Sequence, residues 1–127
     1  MTVNLKADVE NYSARFGLAD SLETRLGREP LNLENCAVSY QRLVANFRIP
    51  FGHTHDRQEE VYVVVSGHAR AKINEQIVEL APWDAVRIPP GCMRQFEAGP
   101  DGVEMLIVGS PVTGRDDDTI VADWWPE

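Results

Sequence analysis

All three histidines of the chain fall between residues 53 and 68, and two of them stand in the run Gly52-His53-Thr54-His55. In an extended segment residues i and i+2 point to the same face, so His53 and His55 can grip one ion from one side. Glu60 follows, opening the run Glu60-Val-Tyr-Val-Val-Val-Ser66 and sharing strand parity with Tyr62 and Val64. Two imidazoles and a carboxylate make a facial set with coordination positions left open, which suits iron, manganese, nickel or zinc. On these residues alone, a chance pair of histidines on one strand remains the alternative. The third histidine, His68, falls on the polar face of its segment and is expected in solvent.

Such side chains need rigid elements to hold them, and the chain supplies strands. Residues 36–49 are rich in Val, Leu, Tyr and Phe and end at Pro50. Residues 60–66 are β-branched and aromatic on both faces, and Gly67 is expected to stop them. Residues 68–74 alternate, with Ala69, Ala71 and Ile73 on one face. Asn74-Glu75 reads as a turn into residues 76–80. Residues 84–88 close on Pro89-Pro90-Gly91. Residues 92–98 follow, then an expected turn at Gly99-Pro100-Asp101-Gly102, then residues 103–109. Helical signal is weak and confined to residues 6–18. Short, evenly spaced strands with Gly/Pro punctuation predict an all-β barrel or sandwich, with further strands in the first 35 residues covering an edge.

The string His53-Thr-His55, four residues, Glu60, six residues, Gly67 resembles the first motif of the cupin family. The spacing to Gly67 selects Glu60 over Glu59. The second cupin motif reads roughly Gly, five residues, Pro-x-Gly, two residues, His, three residues, Asn. The corresponding stretch runs from Trp83 through Pro89-Pro90-Gly91 to Arg94 and Ala98. The Pro-x-Gly matches. The glycine, the histidine and the asparagine are replaced by Trp83, Arg94 and Ala98, so the second motif is degenerate. The resemblance covers about residues 38–110. It implies a cupin-type jelly-roll β-barrel with little helix, a conserved-type barrel core over 36–110, an N-terminal arm or strands over 1–35 and a C-terminal tail over 111–127, all one domain.

Arginine cannot replace the missing histidine as a ligand, because it stays protonated and offers only donors. If the family geometry holds, Arg94 points into the barrel beside His53, His55 and Glu60. It then either pairs with Glu60 and weakens the metal site, or clamps the carboxylate of an anionic ligand beside a metal. The expected pocket has His53, His55 and Glu60 as a partial metal set, with Arg94, Tyr62 and Phe96 as ligand-binding residues. Any divalent metal (Fe, Mn, Ni or Zn) is expected to be weakly held or absent. Two function classes stay open: a barrel binding a small, anionic molecule, and a metal-dependent dioxygenase, isomerase or lyase.

Composition narrows the field further. Hydrophobic residues are 43% of the 127 and charged residues 25%, which supports one packed core and excludes disorder as the main state. A net charge of −8 repels phosphate backbones and anionic lipid, so neither nucleic acid nor membrane is an expected partner. Residues 1–10 are polar and resemble no signal peptide. Cys36 and Cys92 form no disulfide framework and suit a cytoplasmic location. Cys92 has no evident basic partner and is expected to be a small buried hydrophobe. Asp116-Asp117-Asp118 is expected to be a solvated loop, and Trp83, Trp124 and Trp125 packing or interface residues. If Glu60, Tyr62 and Val64 face inward, Val61, Val63 and Val65 face outward and need a cover. The resemblance implies that a second copy supplies it, making a homodimer. The first 35 residues are the intramolecular alternative.

Overall fold

The computed structural model describes residues 1–111 and 117–126. Among these residues a 3-10 helix, Tyr12–Phe16, is followed by eight strands: β1 Leu22–Leu26, β2 Ala37–Leu43, β3 Phe51–His55, β4 Glu60–Ile73, β5 Gln76–Leu80, β6 Ala85–Ile88, β7 Arg94–Gly109 and β8 Asp118–Ala122. The helix is one short piece because its start and end are both marked. The Asn11 side chain accepts from the Ser13 N–H, and Gly17 ends the helix at φ 74°.

Pairing is antiparallel throughout. One path runs β1-β2-β7-β3-β8, and β4 pairs with β5, β6 and β7. The long strands β4 and β7 therefore tie both parts of the curled sheet together, giving the expected jelly-roll barrel. The alternation of β4 settles which side is inside: Glu60, Tyr62 and Val64 are buried, whereas Val61, Val63 and Val65 are half-buried. The core they enter includes Leu43, Val64, Ala71, Ile88, Phe96 and Met105. Full burial of one such large apolar side chain is worth about 1.5–3 kcal/mol. β1 pairs along β2, from Leu22↔Leu43 to Leu26↔Ser39.

Four local expectations are corrected. Gly67 does not stop its strand; β4 runs through it with register shifts at Val64/Ser66 and Gly67/Ala69. Its φ is +74°, and a Cβ there would lie 2.1 Å from the Gly102 carbonyl oxygen, so the glycine makes a bulge where two backbones touch. Residues 99–102 are likewise no reversing turn but a bulged part of β7, because β4 passes opposite them with fewer residues. The segment expected over 36–49 splits: β2 ends at Leu43, Asn46 takes φ 63°, and Arg48 bridges to Glu97. Residues 118–122 form β8, which pairs along β3 from Phe51↔Ala122 to His55↔Asp118.

Lys6 and Trp125 both dock on the barrel. Lys6 Nζ lies 2.6 Å from Glu104 Oε2 and 5.1 Å from the Tyr40 ring centroid. Trp125 is buried, its backbone N–H donates to Gln95 Oε1 at 2.9 Å, and the Arg48 guanidinium lies 3.9 Å from its ring centroid. No helix among the described residues is long and apolar enough to cross a membrane.

Candidate metal and ligand site

β3 and the start of β4 build the cluster. The rings of His53 and His55 lie edge to face, with centroids 5.0 Å apart. With Glu60 they offer one ligand atom each, all within 4.8 Å of one another. The i, i+2 geometry of an extended strand thus brings both imidazoles to one side, as the spacing predicts. Glu60 turns inward because Gly109 makes room: a Cβ on Gly109 would fall 3.1 Å from Glu60 Cγ. Glu59 turns outward and pairs with Arg87, its Oε2 2.6 Å from Nε.

β7 brings Arg94 opposite His53 in the strand register. The guanidinium is fully buried, at 0% exposure. Nη2 lies 3.2 Å from Glu60 Oε1, and Nη1 makes a long contact of 3.5 Å with the His53 carbonyl oxygen. Neither Nε nor Nη2 has a well-aligned hydrogen bond. The Tyr62 hydroxyl donates to Glu60 Oε1 at 3.4 Å, and the Tyr62 ring stacks on Phe96 with centroids 4.4 Å apart. Arg94 from β7 and Tyr62 from β4 therefore both meet Glu60, and Phe96 stacks on Tyr62.

The electrostatics suit a metal ligand set. Burial first, then the Arg94 guanidinium and His55, push the His53 imidazole down to about 3, so it is neutral near pH 7. A neutral imidazole is the form that coordinates. Burial and the Glu60 carboxylate push the Tyr62 hydroxyl well above its ordinary range, so it stays a donor. Two imidazoles and a carboxylate fit a divalent transition metal, while the adjacent Arg94 charge opposes it.

Asp117 lies against the cluster, although no motif or spacing marks it. Against the solvated loop expected of Asp116-Asp117-Asp118, its side chain is 1% exposed. The turn after β3 folds around it: Oδ1 accepts the Arg57 N–H at 2.9 Å, and its carbonyl oxygen accepts the Asp56 N–H at 2.6 Å. Oδ2 lies 3.2 Å from His55 Nδ1. Burial opposes ionisation, yet the Arg57 N–H and guanidinium and His55 hold the Asp117 carboxyl below its ordinary range. Asp116 lies outside the described residues, and Asp118 is exposed at the start of β8. Asp117 is far from His55 in sequence, and an aspartate within an acidic run carries no local sign of burial.

The remaining candidates stay outside the cluster. His68 is exposed, as expected. Cys92 packs against the core, with Asn74 Nδ2 3.4 Å from its sulfur, and Cys36 is an exposed free thiol. Trp83 is 75% exposed on a turn at φ 71°, and Trp124 packs 4.5 Å from Lys72 Nζ. Two surface hollows lie on other faces, one beside Arg42 and Asp101 and one beneath residues 3–6.

No protein-family model and no curated protein matches this chain. Solved structures do. A cupin protein from Bacteroides fragilis is 29% identical, with 72% of this chain and 81% of that one covered and a TM-score of 0.66. A sugar phosphate isomerase from the cupin superfamily, from Silicibacter pomeroyi, is 18% identical, with 96% and 92% covered and a TM-score of 0.72. Oxalate decarboxylase from Bacillus subtilis is 25% identical, with 81% of this chain and 28% of that one covered and a TM-score of 0.66. With the strand order and the His53, His55 and Glu60 cluster, these likenesses make the chain a small domain of the cupin superfamily.

Proposed function

We propose that this protein binds a small anionic molecule in its barrel, beside a divalent transition metal held by His53, His55 and Glu60. The observation that carries this reading is Arg94, whose guanidinium is fully buried with Nε lacking an acceptor and Nη2 meeting Glu60 as an ion pair without an aligned hydrogen bond. A buried donor without an acceptor costs free energy, and a carboxylate is the acceptor that matches a guanidinium fork. Charge points the same way. Glu60 offsets Arg94, so a divalent ion adds two uncompensated positive charges, and an anion relieves them. Tyr62 and Phe96 supply an apolar wall with one hydroxyl donor. Oxalate decarboxylase, among the similar structures, is named for a small dicarboxylate. Iron, manganese, nickel and zinc all fit the donor set. The exposed thiol of Cys36 suits a reducing compartment such as the cytoplasm.

A catalytic version of the same site is the second reading, as a dioxygenase, isomerase or lyase. It is favoured by the coordination positions that three ligands leave open. A bound metal would supply Lewis acidity there, while Arg94 orients the anion and Tyr62 holds a proton near Glu60.

Metal analysis of protein purified without added metal, then calorimetric titration with zinc and with oxalate, tests the proposal. Substoichiometric metal is expected, along with zinc binding that His53→Ala abolishes. Oxalate should bind more tightly with zinc present, and Arg94→Met should remove that gain. Stoichiometric metal that survives chelator dialysis would contradict the weak site. Oxalate binding that is indifferent to Arg94→Met would sink the anion clamp.

A further inference from the structure

We infer that Asp117 is a positioning residue. It holds His55 in the tautomer that carries its proton on Nδ1 and turns Nε2 toward the metal position, and this inference rests on the metal reading above. The two ring nitrogens of His55 face different carboxylates. Nδ1 lies 3.2 Å from Asp117 Oδ2, and Nε2 lies 3.7 Å from Glu60 Oε1. A neutral imidazole has one N–H to donate, and the shorter approach is to Asp117. The opposite tautomer would aim the Nδ1 lone pair at a buried carboxylate oxygen, which is repulsive.

Asp117 is built for this task from both sides. Its Oδ1 is occupied by the Arg57 N–H at 2.9 Å, which fixes the carboxylate plane. Its Oδ2 is buried with no aligned donor, and neither does His55 Nδ1 have an aligned acceptor. A modest rotation of the imidazole about its last torsion, which is broad and soft, aligns the pair. The His55 backbone is held independently, because its carbonyl oxygen accepts the Gly91 N–H at 2.7 Å and β3 pairs His55 with Asp118. The ring can therefore turn while its base stays in place. A ligating histidine that gives its other N–H to a carboxylate gains both orientation and basicity. Here the carboxylate comes from the segment leading into β8, so that segment completes the support of a site whose ligands come from β3 and β4.

Two measurements on the full chain decide the matter. Proton–nitrogen correlation spectra of the imidazoles, recorded without metal at mildly alkaline pH, report the His55 tautomer directly. Zinc titration calorimetry reports affinity. The variants are Asp117→Asn, which keeps an acceptor for the Arg57 N–H, and Asp117→Ala, with thermal unfolding to show that each is folded. Wild-type His55 should be protonated on Nδ1. Asp117→Asn should shift the population toward the Nε2-protonated form and weaken zinc binding by about 10–100-fold. An Nε2-protonated or doubly protonated His55 in the wild type would overturn the inference. So would a tautomer population and zinc affinity unchanged in Asp117→Asn. If the wild type takes up no zinc, the metal reading fails, and the spectra still decide what Asp117 does to His55.

Discussion

Arg94 Nη2 lies 3.2 Å from Glu60 Oε1, so the residue that stands in the second motif's histidine position holds the carboxylate of the first. The relationship joins the two motifs through charge where a shared metal would join them through ligation. Arg94→His should convert one arrangement into the other. It removes the competing cation and adds an imidazole facing His53, so zinc affinity should rise by tenfold or more, on the scale of about 10–100-fold that ligand-sphere changes reach. Calorimetry on the purified variant checks this, and unchanged or weaker binding would show that residue 94 does not face the metal position.

Acid should release the N-terminal arm. Hydrogen bonds from Lys6, Tyr40 and Ser66 hold the Glu104 carboxyl down from 4.5 to about 2. A carboxyl depressed in the folded state contributes stability above its unfolded value, and that contribution is lost as pH falls from 4.5 toward about 2. Hydrogen exchange of residues 3–8 should therefore speed up in that window. Glu104→Gln should show faster exchange already at neutral pH. Protection unchanged by either treatment would mean that other contacts hold the arm.

The C-terminal tryptophan is a core residue of its own chain. Trp125 is 2% exposed and lies beneath the Arg48 and Arg70 guanidiniums. Trp125→Ala should cost about 3–5 kcal/mol, as large-to-small core substitutions do. Urea denaturation followed by circular dichroism reads this out. Removing residues 124–127 should likewise destabilise the barrel itself, and a truncated chain as stable as the full one would contradict this placement.

We propose a homodimer formed over the outer face of β4. The arm runs beside Val65 and Leu106, which leaves the other end of that face to Val61 and its cross-strand neighbour Val108, 40% exposed. Light scattering at micromolar concentration should give twice the 14.2 kDa chain mass. Val108→Lys should return it to one chain, since a charge at the centre of a self-complementary patch meets its own copy. A wild-type mass of one chain would reject the dimer.

Much of this was legible in the sequence for a physical reason: period-two alternation and short motif spacings are local. They were enough to place His53 and His55 on one face and to set Tyr62 and Val64 on the face opposite Val61 and Val63, and the spacing of the motif it resembles chose Glu60 over Glu59; which face of that strand is buried came from the structure. The residue types at 83, 94 and 98 also marked the second motif as degenerate. Only the tertiary structure decided what depends on distant segments meeting. Gly67 and Gly102 look like stops until β4 and β7 are seen to touch there, where the glycines permit a bulge. Asp117 looks solvated until β8 pairs with β3 and the turn at Asp56 and Arg57 closes over its carboxylate. Whether Arg94 would reach Glu60 likewise depended on the register between β3 and β7, which is set by long-range pairing and is not written in either strand alone.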